Sequence, residues 1–348
     1  MQTLIQTTSQ LERYLKTINS DSRLAIDTEF KRINTYYPEL CLVQIATNHS
    51  AECIDVLSIN DLEPLFEKLY HNKTEWIVHS ARQDIEALYH LSKRIPSSLF
   101  DTQIAASLVN YPLQISYQVL TEILQDVQLD KSFTRFDWTT RPLPVNVIEY
   151  ALDDVRYLLP NFEKLKHELT LSKKIKWLDE ETRFLLDQEL YEPSIEQICY
   201  KTKGFSRLGK KFQGKAIKLV AWRENNAQQN NKPRKWIMSD EKLLDYACGK
   251  SKLSTRSKKL FDGFVKESSE TLSLSELLTP QKPLTSSEKN KKNELQRLIN
   301  NIAEAYNLRP EVISTSKSLI RFMRGDLSAP LCNGWRSKIF NKEELNAK

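Results

Sequence analysis

Two acids stand two residues apart in L-A-I-D-T-E-F, residues 24–30. Side chains on a strand alternate, so Asp27 and Glu29 face one side and Ile26, Thr28 and Phe30 the other. Paired carboxylates on an apolar strand make a poor core. They make a good platform for a hard divalent cation, which takes oxygen ligands. The plainer alternative is an edge strand with its acids in water. Asp84 opens a helical stretch, where an acid also suits the helix dipole. Tyr150 and Asp154 are spaced i and i+4, so both project from one helical face. A hydroxyl and a carboxylate so placed reach the same water and the same metal. Asp153 lies about 100° round the helix and reads as solvent-facing.

These residues need a scaffold, and the hydrophobic pattern supplies one. Residues 3–18 read as a short segment and then a helix, with Leu11, Leu15 and Ile18 at helical spacing. Residues 24–30, 40–47 and 52–57 read as strands close enough for an antiparallel meander. The 40–47 run, L-C-L-V-Q-I-A-T, is nearly all apolar, as a buried central strand is. Residues 62–70 read as a helix, 76–79 as a strand, 82–91 as an amphipathic helix and 99–101 as a short strand. Helical pattern follows to 127. From 146 onward Val147, Ile148, Ala151, Val155, Leu158, Leu159, Phe162 and Leu165 keep a 3.6-residue period, with a kink expected at Pro160. The alternation predicts a mixed sheet flanked by helices. The back half reads as all helical, with a linker inside 268–292.

Composition narrows the function. The chain has 348 residues, 40% hydrophobic and 28% charged, which predicts two or three domains. Neither a P-loop nor a dinucleotide-binding glycine motif occurs, and only 7 glycines are present. The 5 scattered cysteines form no C-x-x-C, so zinc and disulfide frameworks are not expected and a reducing cytoplasm is. The N-terminus shows no apolar signal core. The uncharged run 102–121 is too interrupted to span a membrane. Residues 1–190 hold 20 Lys and Arg against 28 Asp and Glu, a net of −8; the rest hold 31 against 17, a net of +14, giving the overall +6. An acidic front and a basic back suggest a metal-binding catalytic domain followed by a module that grips a polyanion.

The motifs, taken in order, resemble a known family. D-T-E-F at 27–30, H-x-x-x-Q-D at 79–84 and Y-x-x-x-D at 150–154 resemble the three exonuclease motifs of the DEDD superfamily, in its tyrosine-bearing branch. T-Y-Y-P-E-L at 35–40, F-D-T-Q at 100–103, L-D-K-S at 129–132, D-W-x-x-R-P-L at 137–143 and Y-A-L-D-D-V-R-Y-L-L-P at 150–160 resemble ribonuclease D. The likeness is strong over 1–165. The back half resembles, more weakly, a helical HRDC domain and a second helical unit of that kind. The resemblance implies a ribonuclease-H-like exonuclease domain at 1–172, a helical connector at 173–208, an HRDC domain at 209–280 and an HRDC-like domain at 285–348. It implies a 3′→5′ exoribonuclease using two divalent ions, Mg²⁺ or Mn²⁺, and releasing nucleoside 5′-monophosphates. Asp27, Glu29, Asp84 and Asp154 would be the metal ligands, and Tyr150 would orient or help deprotonate the attacking water. The implied substrate is RNA such as tRNA precursors with 3′ extensions, with no obligate protein partner and no membrane. The alternatives are a DNA-directed exonuclease of the same superfamily and a non-catalytic RNA-binding protein.

Other candidates carry two readings each. Phe30 and Tyr36 or Tyr37 offer rings to the terminal base, although Phe30 shares a face with core residues. His79 and Gln83 flank Asp84 and either contact substrate or order the helix start. Arg141 either meets a phosphate or pairs with Asp137. Asp101 reads mainly as a helix cap, and Trp138 as packing. Lys201, Lys203, Lys210, Lys211, Arg234, Lys235, Lys258, Lys259 and Lys289 to Lys292 are candidate phosphate contacts, with Trp222 and Trp236 close to them in sequence.

Overall fold

The computed structural model describes residues 4–18, 23–130, 132–267 and 282–346. It divides into two compact units, one formed by 1–31, 40–187 and 284–348, the other by 32–39 and 188–283.

In the first unit β1 (Leu4–Ile5) and α1 (Thr8–Leu15) precede β2 (Arg23–Lys31), β3 (Glu39–Ala46) and β4 (Ala51–Asp55). Then come α2 (Glu63–Leu69), β5 (Glu75–Val78), α3 (Arg82–Ser92), β6 (Ser98–Asp101), α4 (Thr102–Leu108) and α5 (Tyr117–Gln125). The six strands form one mixed sheet in the order β1-β4-β3-β2-β5-β6. β3 and β4 are antiparallel, whereas β2, β5 and β6 run parallel, with Ala25 opposite Ile77 and Ile77 opposite Phe100. The apolar run read as a central strand is β3, and Leu40 through Val43 are almost wholly excluded from water. Parallel pairing brings the C-terminal ends of β2, β5 and β6 to one edge of the sheet, the side where ligand sites of such sheets lie.

The long periodic stretch is two helices, α6 (Val145–Arg156) and α7 (Leu158–Leu171), with the break at Tyr157 and not at Pro160. Proline's ring crowds the carbonyl four residues back, here that of Arg156, so the helix yields there. Pro160 then falls in the first turn of α7, where its missing N–H costs nothing. The Tyr117 hydroxyl enters the gap, donating to the Asp153 carbonyl at 3.0 Å and accepting from the Tyr157 N–H at 3.2 Å. That pins the end of α6 that carries Asp154. α8 (Ile175–Thr182) completes this part of the unit.

The second unit holds α9 (Ile195–Lys201), α10 (Lys210–Gln229), the single turn α11 (Arg234–Ile237), α12 (Asp240–Ala247) and α13 (Thr255–Glu267). Its core gathers Phe205, Leu219, Val220, Trp222, Leu243 and Phe261. Trp222 is therefore core, whereas Trp236 is exposed. The segment 32–39 packs in this unit. Tyr36 sets its hydroxyl among Glu224, Gln228 and Arg234, with its ring 4.8 Å from the Arg234 guanidinium. Tyr36 and Arg234, offered by the sequence as base and phosphate contacts, are thus engaged with each other.

The last helices, α14 (Ser286–Ala305), α15 (Pro310–Ile313), α16 (Ser316–Met323) and α17 (Gly334–Asn346), belong to the first unit. Ile299, Ile302, Leu319 and Trp335 join the same core as Leu108, Leu120 and Leu178. Trp335 stacks on Trp177 with ring centroids 4.3 Å apart. Lys174, buried, donates to the carbonyls of Leu108 at 2.8 Å and Tyr306 at 2.7 Å. Most of the linker expected within 268–292 lies outside the described residues, and α14 begins at Ser286. Among the described residues no helix is long and apolar enough to cross a membrane.

Candidate active site

β2 presents Asp27 and Glu29 as strand alternation requires, and α6 presents Asp154. Ligand oxygens of these three acids lie within 4.8 Å of one another. Asp84 stands in the first turn of α3 and is buried. It joins the group through Thr28, whose hydroxyl donates to Asp84 Oδ1 at 2.6 Å. Alternation assigned Thr28 to the opposite face and left it without a role. Nothing in its own spacing marks it, because the contact crosses 56 positions of chain.

The start of α3 is held by a second acid. Asp101, at the end of β6, accepts from the backbone N–H of Ser80 at 3.1 Å and Ala81 at 2.9 Å. It also caps α4 through Gln103 and Ile104, as its D-T-Q context suggested. His79 is committed through both ring nitrogens, to the Thr102 hydroxyl at 2.9 Å and the Ile115 carbonyl at 3.0 Å. It orders this corner and has no ring nitrogen left for substrate. Gln83 is exposed beside Asp84, and Phe30 is half-buried beside Glu29.

Tyr150 shares the α6 face with Asp154, as the i, i+4 spacing predicts. Its ring packs edge-on to Phe133 with centroids 5.8 Å apart and lies 6.5 Å from Trp138, which is core. Burial, and then the charge of Asp154, push its hydroxyl pKa up to about 12.

Arg141 is not free for a phosphate. Its guanidinium pairs with the wholly buried Asp55 through Nε at 2.8 Å and Nη2 at 2.6 Å. The remaining donors reach the carbonyls of Trp138, Thr140 and Cys41. A guanidinium has five N–H donors, and all are used. Asp137, the partner expected from sequence, pairs with Lys31 at 2.9 Å.

The acids crowd one another. Burial, followed by the charges of Asp84, Asp154 and Glu29, holds Asp27 well above the usual carboxylate range. Glu29 is raised by burial and by Asp154 and Asp84. Burial raises Asp84 to about 7 against the opposing pull of the Thr28 hydroxyl. Asp154 is raised to about 7 by burial, then by Asp153 and Asp84. None of the ion pairs among the described residues supplies these acids with a lysine or arginine. Four clustered, uncompensated carboxylates fit hard divalent cations through their oxygen donors.

The charge crowding has a pH consequence. Asp84 and Asp154 are raised, so between about pH 4 and 7 the folded state binds more protons than the unfolded one, and stability falls as pH rises. In chelator, urea unfolding should show lower stability at pH 8 than at pH 5, by a few kcal/mol (order of magnitude). The variant Asp84→Asn with Asp154→Asn should flatten that slope, and added Mg²⁺ or Mn²⁺ should restore stability at pH 8. A slope unchanged by the double substitution contradicts the crowding.

A family profile described as 3′-5′ exonuclease matches residues 2–170. Ribonuclease D of Bartonella henselae is 35% identical over an alignment covering 99% of this chain and 89% of its own. Ribonuclease D of Gluconacetobacter diazotrophicus is 30% identical over 99% and 92% of the two chains. The crystal structure of Escherichia coli RNase D, described as an exoribonuclease involved in structured RNA processing, superposes with a TM-score of 0.82 at 25% identity, covering 99% of this chain and 97% of that one. The use of divalent metal comes with this exonuclease family, and the acidic cluster provides for it. Identity sustained across nearly the whole of both chains carries the assignment past the front domain: the chain belongs to the ribonuclease D family and is a 3′→5′ exoribonuclease.

Proposed function

We propose that Asp27, Glu29, Asp84 and Asp154 together hold two divalent ions, Mg²⁺ or Mn²⁺, at the 3′ end of an RNA chain. The approach of the Asp27, Glu29 and Asp154 ligand atoms to within 4.8 Å carries this reading. Ions so bound supply Lewis-acid stabilisation of phosphate charge and a more acidic attacking water.

The chain's own residues bind and orient. The Thr28 hydroxyl and the Asp101 cap fix Asp84, and the Tyr117 hydroxyl fixes the end of α6. Tyr150, its pKa raised to about 12, stays protonated at neutral pH and therefore donates a hydrogen bond rather than accepting a proton. It orients the water that attacks the terminal phosphorus. The phosphorus–O3′ bond breaks, the O3′ gains a proton, and a nucleoside 5′-monophosphate leaves. Phe30 offers its ring to the terminal base, and Gln83 a polar contact. The substrates are structured RNAs with 3′ extensions, tRNA precursors among them, in the cytoplasm. Residues 209–280 act as an HRDC domain and 285–348 as a second helical domain of that kind. Lys201, Lys203, Lys210, Lys211, Lys235, Lys258 and Lys259, all exposed, carry the phosphate attraction.

A tRNA precursor with a 3′ trailer should be shortened from that end only, and a matched DNA strand far more slowly. Tyr150→Phe keeps the ring on Phe133 and Trp138 and loses only the hydroxyl. It should lower kcat about 10- to 100-fold, at or below the low end for a positioned proton-handling group, with KM little changed. A loss as deep as that of an acid would give Tyr150 a larger part than orientation.

A further inference from the structure

The second unit carries a basic groove of about 500 Å³ between α10 and α13. None of its three lysines is among the phosphate contacts the sequence singled out. Lys215 and Lys218 line it from α10, and Lys266 from α13. Lys211, Lys215 and Lys218 follow the i, i+4, i+7 spacing of one helical face, and Lys211 is exposed just beyond the groove. Lys258 and Lys259 stand exposed one turn before Asp262 on α13. Asp262 is the groove's single acid, against three lysines. The ion pairs described in this unit, Arg223 with Asp240 and Arg234 with Glu224, use other cations, and Lys215 donates to the Tyr246 carbonyl at 3.1 Å with its ammonium 3.9 Å from that ring, so Lys218 and Lys266 are the cations the groove presents. The floor is apolar, made by Phe261 and Val265.

The glycines add an independent observation. Of the chain's seven, only Gly214 and Gly263 lie inside helices away from their ends. Glycine in a helix interior is unfavourable relative to alanine. A Cβ at either position would meet nothing within 4 Å, so no packing within the chain requires a glycine there. Gly214 lines the groove. Its missing side chain leaves the α10 backbone open to close approach by a ligand.

We infer that this groove binds the sugar-phosphate backbone of single-stranded RNA, with Lys218 and Lys266 on phosphates and the Phe261–Val265 floor under a sugar or base. The inference rests on the reading that the helical unit carries RNA, and it gives that role a specific site. Net positive charge over an apolar floor, with backbone exposed at Gly214, matches a chain of phosphates alternating with flat apolar rings.

The test uses the full chain and a fluorescent single-stranded RNA, followed by anisotropy across a salt series. Lys218→Ala with Lys266→Ala should weaken binding about 10-fold and reduce the slope of log K against log salt by about 1.4, at about 0.7 per single-strand contact. Gly214→Leu, which changes no charge and whose Cβ meets nothing within 4 Å, should weaken binding comparably by filling the groove. Nucleotide release at saturating RNA should keep its kcat in both variants. Unchanged affinity and slope in a protein that still releases nucleotides would overturn the groove. So would a double-lysine effect without a Gly214→Leu effect, which would leave only diffuse charge. Stronger competition for the groove by a poly-glutamate peptide than by RNA of equal charge would assign it to an acidic protein partner and overturn the inference. Affinity losses as expected in a wild-type protein that releases no mononucleotide would support the groove and overturn the exonuclease chemistry instead.

Discussion

Asp27→Asn should abolish release of nucleotides from the 3′ end of RNA while making the metal-free protein more stable. Asp27 is the acid pressed by burial and by all three of its carboxylate neighbours. Asparagine keeps its shape and one oxygen but removes the negative charge that a divalent cation needs. Several kcal/mol of electrostatic stabilisation are at stake, so activity should fall by at least about 10³-fold. The same charge opposes folding when no cation is present. Removing it should raise the unfolding free energy in chelator by about 1–3 kcal/mol, the scale of burying an unpaired polar group. Loss of activity with gain of stability is a signature that a structural residue does not produce. It is read by mononucleotide release and by denaturant unfolding of the same preparation. A variant that loses both functions through misfolding, or keeps its activity, contradicts the assignment of Asp27.

Arg141→Ala has the largest expected effect on stability. Asp55 on β4 is wholly buried, and Arg141 neutralises it with two hydrogen bonds. Removing one partner of a buried pair leaves an uncompensated charge and costs about 3–5 kcal/mol. The carbonyls of Cys41, Trp138 and Thr140 lose their donor as well. Arg141→Lys should recover little, because an ammonium cannot match the planar fork. The check is urea unfolding, with KM and salt dependence measured on the folded fraction and expected to match wild type. Normal stability with a raised KM would instead make Arg141 a phosphate contact.

The acids were legible because their signals are local. Strand alternation placed Asp27 and Glu29 on one face, and helical spacing placed Tyr150 with Asp154. The apolar run of β3 announced a central strand for the same reason, since periodicity records which face is buried. What could not be read depends on contacts between distant segments. Arg141 and Asp55 lie 86 residues apart, so no window of sequence contains both, and nearby Asp137 looked like the partner. Thr28 reaches Asp84 across 56 residues, and Tyr36 reaches Glu224 across 188. The break at Tyr157 is a different case. Pro160 signalled it correctly in kind, but the clash falls four residues earlier, and the Tyr117 hydroxyl that stabilises it comes from another helix. The packing of residues 284–348 into the first unit was equally hidden, because the charged outer faces of α14 resemble those of a free-standing helical domain.

Release of nucleotides from a 3′-labelled RNA, with and without chelator, tests the four-acid site most directly. With Mg²⁺ or Mn²⁺ the label should leave first and entirely as nucleoside 5′-monophosphate. Chelator should stop the release, and re-added metal should restore it, in wild type but not in Asp27→Asn. Release that continues in chelator, or products cut from the interior or the 5′ end, would contradict the site.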